Sequence, residues 1–315
     1  MNHVAFLVAA SPNAAFFSQI AVLRRAFDRL PWARWRYTLH VYLGGTPEDG
    51  ALDAWKPHLG GVDLRWSTAE DERRDGDWAQ SDDVFRHAPA AADVLVALDA
   101  DTLPVRSLEP ILDEVVADHV VAGTLAHYPT IIDHREGAVQ ETSIRDAWVR
   151  LASGLVTEPL DFRFSHSLMD AESPAELREA PFYLNFGVVF LPRRHFDRIA
   201  PEYLRLRPLL ERRMSDGDFS GQAALTLAIA GTGASTRALP LRYNFPNDPA
   251  AVRLHTGELD QVVVHHYLRT WAYDRHRIFR SAADYHAFLA QPLEGVDERF
   301  QADVRRTVGE TYPFA

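Results

Sequence analysis

The chain has 315 residues, 47% of them hydrophobic, which is enough apolar material for a full core in one large or two small domains. Acidic residues outnumber basic ones 44 to 33, and the formal net charge of −11 argues against nucleic acid or an anionic membrane surface as the main partner. There is no cysteine, so disulfides, zinc–thiolate centres and thiol nucleophiles are excluded, and a reducing, cytoplasmic location is compatible.

Residues 4–9 predict a first strand. The apolar run that contains them is too short to cross a bilayer and lacks a basic leading segment, so it reads as a strand and not as a signal. Ser11-Pro12-Asn13 predicts a turn, and a helical pattern follows from about residue 15 to 30, stopping before Pro31. Residues 37–43, closed by Gly44-Gly45, and residues 62–66 predict the second and third strands, with a charged, mobile loop over 67–77 after them. A helix is expected near 108–116 and a short apolar strand at 120–124. This βαβ order predicts an α/β fold with a mostly parallel twisted sheet flanked by helices. From about 126 to 180 the period-two signal is lost, and the segment reads as a mixed helical and loop insertion; its Trp148, Asp161 and His166 have no assignable role. Strand pattern returns at 182–191, helices at about 194–207 and after Ser220, and strands ending at 239–241 and at 262–266. With no repeat or linker in view, the expectation is a single domain over 1–315 with a helical tail from about 273. No stretch reaches membrane-spanning length.

The most informative stretch is Val94-Leu95-Val96-Ala97-Leu98-Asp99-Ala100-Asp101-Thr102, with Pro104 read as a break behind it. A continuous apolar run reads as a strand covered on both faces, and the C-terminal edge of such a sheet is where ligands bind. In extended chain, carboxylates at i and i+2 project to one side, so Asp99 and Asp101 are expected to share a divalent cation and aim it at a phosphate. A pair of loop aspartates capping a helix would look the same. Four further pieces follow in order: 183–190 with Asn185-Phe186-Gly187, 220–225 with Ser220-Gly221-Gln222, 239–244 with Tyr243-Asn244, and 262–267 with His265-His266-Tyr267.

Together these five pieces resemble the GT-A nucleotide-sugar glycosyltransferases, most closely the retaining family 8 enzymes of the galactosyltransferase and glycogenin type, over roughly residues 4–272. The resemblance implies transfer of a hexose from a nucleoside diphosphate sugar, UDP-hexose by preference, to an unidentified acceptor hydroxyl, with retention of configuration. It implies Mn²⁺ or Mg²⁺ held by Asp99, Asp101 and the histidine directly before an aromatic, His266; residues 265 and 266 face opposite ways on a strand, so only one of them can be a ligand. It further implies Gln222 and Asn185 as catalytic residues, and Ala9, Ser11, Asn13, Asp99, Ala100, Asp101, Gly187 and Arg269 as contacts to the donor. The insertion is the implied acceptor and lid region, and any membrane contact would be peripheral, at the inner membrane through the acceptor.

Departures from the family pattern are specific. Ala9-Ala10-Ser11-Pro12-Asn13 lacks the usual Asp and Tyr for the base and ribose, and Arg269 is the nearest replacement for the family's diphosphate lysine. Phe186 stands where the family has a small residue, and Gly221 where it has an aspartate. Two other readings remain. A haloacid dehalogenase-type phosphohydrolase shares the strand-then-Asp-x-Asp pattern but needs a downstream lysine, and Lys56 is the only lysine. A non-catalytic nucleotide-sugar-binding protein would keep the fold without turnover. A dinucleotide-binding dehydrogenase is disfavoured because no Gly-x-Gly-x-x-Gly follows the first strand.

Overall fold

Every second residue of the first strand faces a different core. In β1 (Asn2–Ala10), Val4, Phe6 and Val8 pack on one side of the sheet while Ala5 and Leu7 pack on the other. The computed structural model describes residues 1–46, 48–129, 143–170, 172–174, 178–214 and 217–314. The chain continues through α1 (Ala14–Arg29), β2 (Trp35–Leu43), α2 (Ala51–Trp55), β3 (Val62–Trp66), α3 (Ala69–Asp75), α4 (Ala79–Arg86) and β4 (Val94–Leu98). Then come β5 (Thr102–Pro104), α5 (Glu109–Asp118), β6 (Val121–Leu125), α6 (Ile144–Ala152), β7 (Phe164–Ser165), β8 (Glu179–Ala180) and β9 (Leu184–Pro192). The last part holds α7 (Arg193–Arg213), α8 (Ser220–Thr232), β10 (Thr236–Ala238), β11 (Phe245–Pro246), α9 (Pro249–Leu254), β12 (Val264–His266), α10 (Ala282–Ala290) and α11 (Gly295–Thr307).

The main sheet has the order β3-β2-β1-β4-β9-β6-β10. Its neighbours run parallel except β9, which is antiparallel to both β4 and β6. The expected mostly parallel sheet with helices on both faces is therefore present. One core, under α1 and the C-terminal helices, contains Phe17, Ile20, Tyr285 and Phe300; the other, under α4, α7 and α8, contains Phe85, Phe196, Tyr203 and Leu227. A small second sheet, β11-β12-β5, packs β12 antiparallel to β5 with Thr102 opposite His266. Among the described residues no helix is long and apolar enough to cross a membrane.

Three expectations are corrected. The charged segment after β3 is not a loop, because Thr68 and Asp71 form a reciprocal capping box that starts α3, and Arg74 and Arg86 neutralise the buried Asp71. Pro104 does not break the chain after the aspartates; it ends β5 opposite Val264. The helix expected to end near 207 runs on to Arg213 through Pro201 and Pro208, since the buried face Phe196, Ile199, Tyr203, Leu206 and Leu210 outweighs local propensity. The expected insertion falls partly on residues 130–142, 171 and 175–177, outside the described residues. Its described part holds α6 and the β7–β8 hairpin. There Trp148 is buried against the Tyr183 ring, Asp161 pairs with Arg163 at the surface, and His166 is buried on the Ala126 carbonyl.

Candidate functional site

β4 delivers the chain to the sheet's C-terminal edge, and Asp99-Ala100-Asp101 then turns it into β5. The Thr102 hydroxyl donates to the Asp99 carbonyl at 2.8 Å, and the Tyr267 N–H donates to the Asp101 carbonyl at 3.0 Å. The two carboxylates thus meet because of a turn pinned to β12, not because an extended chain puts them on one side. Pairing of β5 with β12 brings His266 beside them: its Nε2 lies 3.3 Å from Asp101 Oδ1 and 3.6 Å from Asp99 Oδ2. His265 points the other way, and its Nε2 bonds the Asp303 carboxylate of α11 at 2.8 Å.

One ligand atom from each of Asp99, Asp101 and His266 lies within 4.8 Å of the others, with the imidazole 3.3 and 3.6 Å from the two carboxylates. An ion with bonds of about 2.1 Å bridges donors so spaced, and two carboxylate oxygens with one imidazole nitrogen suit Mn²⁺ or Mg²⁺. The residues present therefore fit a divalent cation. Electrostatics agree. Enclosure by the cavity walls pushes Asp99 up, to about 6, against the pull of His266. Burial also works to raise Asp101, but His266 and Arg275 hold it below the usual carboxylate range, and the two carboxylates raise His266 despite its burial. Asp71, Asp83 and His87 form another group of ligand type, but Arg74 and Arg86 already neutralise its carboxylates.

A cavity of about 330 Å³ opens over the cluster. Of the residues expected at the donor, Ala9, Ala100, Asn185 and Gln222 line it with the three ligands. Ser11, Asn13, Gly187 and Arg269 are not among its lining residues. The Asn13 carboxamide oxygen caps α1 by accepting from the Phe16 N–H at 3.1 Å. Arg269 pairs with Asp248 at 3.2 Å and lies over the rings of Tyr128 and Trp271. Gly187 makes room for protein: a Cβ there would meet Asn244 Oδ1 at 2.3 Å and His266 Nδ1 at 2.5 Å.

Sequence reasoning missed Phe16, Gln19, Arg275 and His276, all of which line the cavity. Arg275 bonds the Asp101 carboxylate and brings a guanidinium into the cavity. Gln19 is 1% exposed; its Nε2 donates to the Arg275 carbonyl at 3.2 Å, and its Oε1 has no partner. No spacing rule marks these residues, because α1 and the 274–276 loop meet only in the folded chain. The departures at 186 and 221 are neighbours in space: a Cβ on residue 221 would stand 3.3 Å from the Phe186 ring and 3.2 Å from the Tyr203 hydroxyl, so a side chain there fits only where those groups give way by a few tenths of an ångström. Lys56 sits on a short helical turn away from the cavity, so the lysine a phosphohydrolase requires is missing from the site.

No protein-family model and no curated protein matches the sequence. Among solved structures, the apo bifunctional glycosyltransferase WbbM aligns with a TM-score of 0.53 at 12% identity, over 85% of this chain and 46% of that one. The galactosyltransferase LgtC in complex with donor and acceptor sugar analogues aligns with a TM-score of 0.50 at 16% identity, over 94% of this chain and 99% of LgtC. An active-site mutant of LgtC gives 0.51 at 14% identity, over 98% and 96%. The chain thus spans under half of the WbbM chain and nearly all of LgtC. At such identities the likeness is one of fold, and the fold of this chain is that of the GT-A glycosyltransferases.

Proposed function

We propose that this protein is a metal-dependent glycosyltransferase that moves a hexose from a nucleoside diphosphate sugar, UDP-hexose, to an acceptor hydroxyl with retention of configuration. The observation that carries this reading is the convergence of Asp99, Asp101 and His266 at a cavity also lined by Asn185, Gln222 and Arg275, in a glycosyltransferase fold. A divalent ion held by Asp99, Asp101 and His266 would neutralise the charge that builds on the departing diphosphate. The Arg275 guanidinium supplies a second positive charge on the same phosphates, with a fork suited to two oxygens. Phe16 and His276 enclose the nucleoside end, where the unpartnered Gln19 Oε1 accepts from a base or ribose N–H or O–H.

Asn185 Oδ1 is taken by the Gly187 N–H at 2.8 Å and by Asn244 Nδ2 at 2.9 Å, so its NH₂ is the group left for sugar hydroxyls. Gln222, in the first turn of α8, offers its carbonyl oxygen to the electron-poor anomeric carbon. The bond from that carbon to the diphosphate oxygen breaks with the electron pair on the leaving nucleotide. The acceptor oxygen bonds to the same face, and its proton passes to the departing phosphate oxygen. Among the described residues lining the cavity, the only carboxylates are the ligands Asp99 and Asp101, which leaves that phosphate oxygen as the base. The part of residues 126–180 beside the sheet is the proposed acceptor side.

A panel of nucleotide sugars with Mn²⁺, Mg²⁺ or EDTA tests the reading. A ligand that binds only the folded state raises the melting temperature, so a UDP-sugar is expected to do so with Mn²⁺ and not with EDTA, accompanied by slow UDP release. Asp99→Ala and Asp101→Ala should remove both effects. Stabilisation without any UDP release would mark a binding protein, and rapid phosphate release from aryl phosphates would mark a phosphohydrolase.

A further inference from the structure

His266 has one nitrogen on the carboxylates and one that faces away. That second nitrogen, Nδ1, is buried and has no hydrogen-bond partner. A buried imidazole N–H left unpaired costs about 1–3 kcal/mol, and metal-bound histidines almost always donate from the far nitrogen to an oxygen. Asn244 carries the matching defect. It is fully buried, and its Oδ1 has no partner.

The orientation of the Asn244 amide follows from its neighbours. The Gly187 backbone N–H can only donate, so the Asn185 atom that receives it at 2.8 Å must be the oxygen. That oxygen also meets Asn244 at 2.9 Å, so Asn244 must present its NH₂ there and keep its oxygen free. The free oxygen and His266 Nδ1 lie 2.3 and 2.5 Å from the point a Gly187 Cβ would occupy, so both unpartnered atoms border the same small gap beside a glycine that has no side chain to fill it.

We propose that Asn244 is a positioning residue for the metal histidine: its Oδ1 accepts a hydrogen bond from His266 Nδ1–H, which fixes the tautomer with the Nε2 lone pair aimed between Asp99 and Asp101. The chain from the Gly187 backbone through Asn185 and Asn244 to His266 thereby couples the residue that faces the sugar to the residue that faces the ion. This inference rests on the metal site proposed above. Outer partners of this kind change metal affinity by about 10- to 100-fold.

The test measures Mn²⁺ binding to the substrate-free protein by electron paramagnetic resonance, and the His266 ring nitrogens by ¹⁵N NMR of the Mg²⁺-loaded protein, assigned with His266→Gln. Wild-type protein should carry its proton on Nδ1, giving a downfield signal slow to exchange with solvent. Asn244→Leu should lose that signal and bind Mn²⁺ at least tenfold more weakly, while Asn244→Asp, which keeps an acceptor for His266 but sets a second oxygen against Asn185 Oδ1, should keep the signal and lose less affinity than Asn244→Leu. Equal affinity in wild type and Asn244→Leu, equal loss in Asn244→Leu and Asn244→Asp, or a proton on Nε2 in the loaded wild type overturns the proposal. The last measurement reads the wild type itself and depends on no Asn244 variant. Absence of Mn²⁺ and Mg²⁺ binding by the wild type would instead overturn the metal site itself.

Discussion

At the scale of single residues, the adjacent histidines 265 and 266 show how one strand serves two purposes. His266 turns its Nε2 to the aspartates, whereas His265 is 1% exposed and tied to Asp303, which Arg299 and Arg306 also hold. Truncating them should fail in different ways. His266→Ala is expected to abolish metal-dependent UDP binding. His265→Ala should keep Mn²⁺ binding and lose about 2–4 kcal/mol of stability, from a lost hydrogen bond to a charged group and the cavity left behind. Loss of metal binding in both variants to the same degree would contradict the opposed orientation. Strand periodicity allowed only one of the two histidines to face the aspartates, and the family resemblance, with its metal histidine directly before an aromatic, implied His266. The Asp303 partner was not, because 38 residues separate it from His265 and the helix carrying it has an ordinary amphipathic pattern.

At the scale of elements, α4 and α7 are joined by an ion pair that the sequence hides. Arg207 and Asp82 are 2% and 3% exposed at the side chain, 3.1 Å apart, and burial pushes Asp82 up to about 6 even beside the guanidinium. Removing one partner strands a buried charge, so Arg207→Met should cost about 3–5 kcal/mol, read from urea unfolding. Asp82→Leu combined with Arg207→Met should recover much of that loss; strictly additive losses would show that the two do not act as a pair. Strand and helix existence was largely readable from periodicity. The antiparallel sense of β9 was not, since a strand buried on both faces has the same apolar run in either direction. The capping box that starts α3 was present in Thr68 and Asp71, but the surrounding charges made the segment look like a loop.

At the scale of the whole molecule, buried neutral histidines make the native state sensitive to acid. Burial lowers His166 to about 4, although its bond to the Ala126 carbonyl acts the other way. The unfolded chain protonates this histidine near 6.5, so its contribution is complete above that pH and is lost as pH falls toward 4. Between pH 7.5 and 5.0 the wild type should therefore lose on the order of 1–2 kcal/mol more than His166→Gln, measured from urea midpoints at both values. Parallel losses in the two proteins would assign the acid sensitivity to other groups. By itself the sequence determined the α/β class and set Asp99 and Asp101 at the end of a buried strand, because periodicity and short motifs are local properties of the chain; that His266 joins them was implied by the family resemblance, and the pairing of β5 with β12 brings the three together. Only the tertiary structure decided that Arg275 stands in the cavity beside Asp101, that Gly187 makes room for Asn244 and His266, and that Phe186 packs close to Gly221. Those assignments depend on which surfaces meet when distant segments pack, and no spacing along the chain encodes that contact.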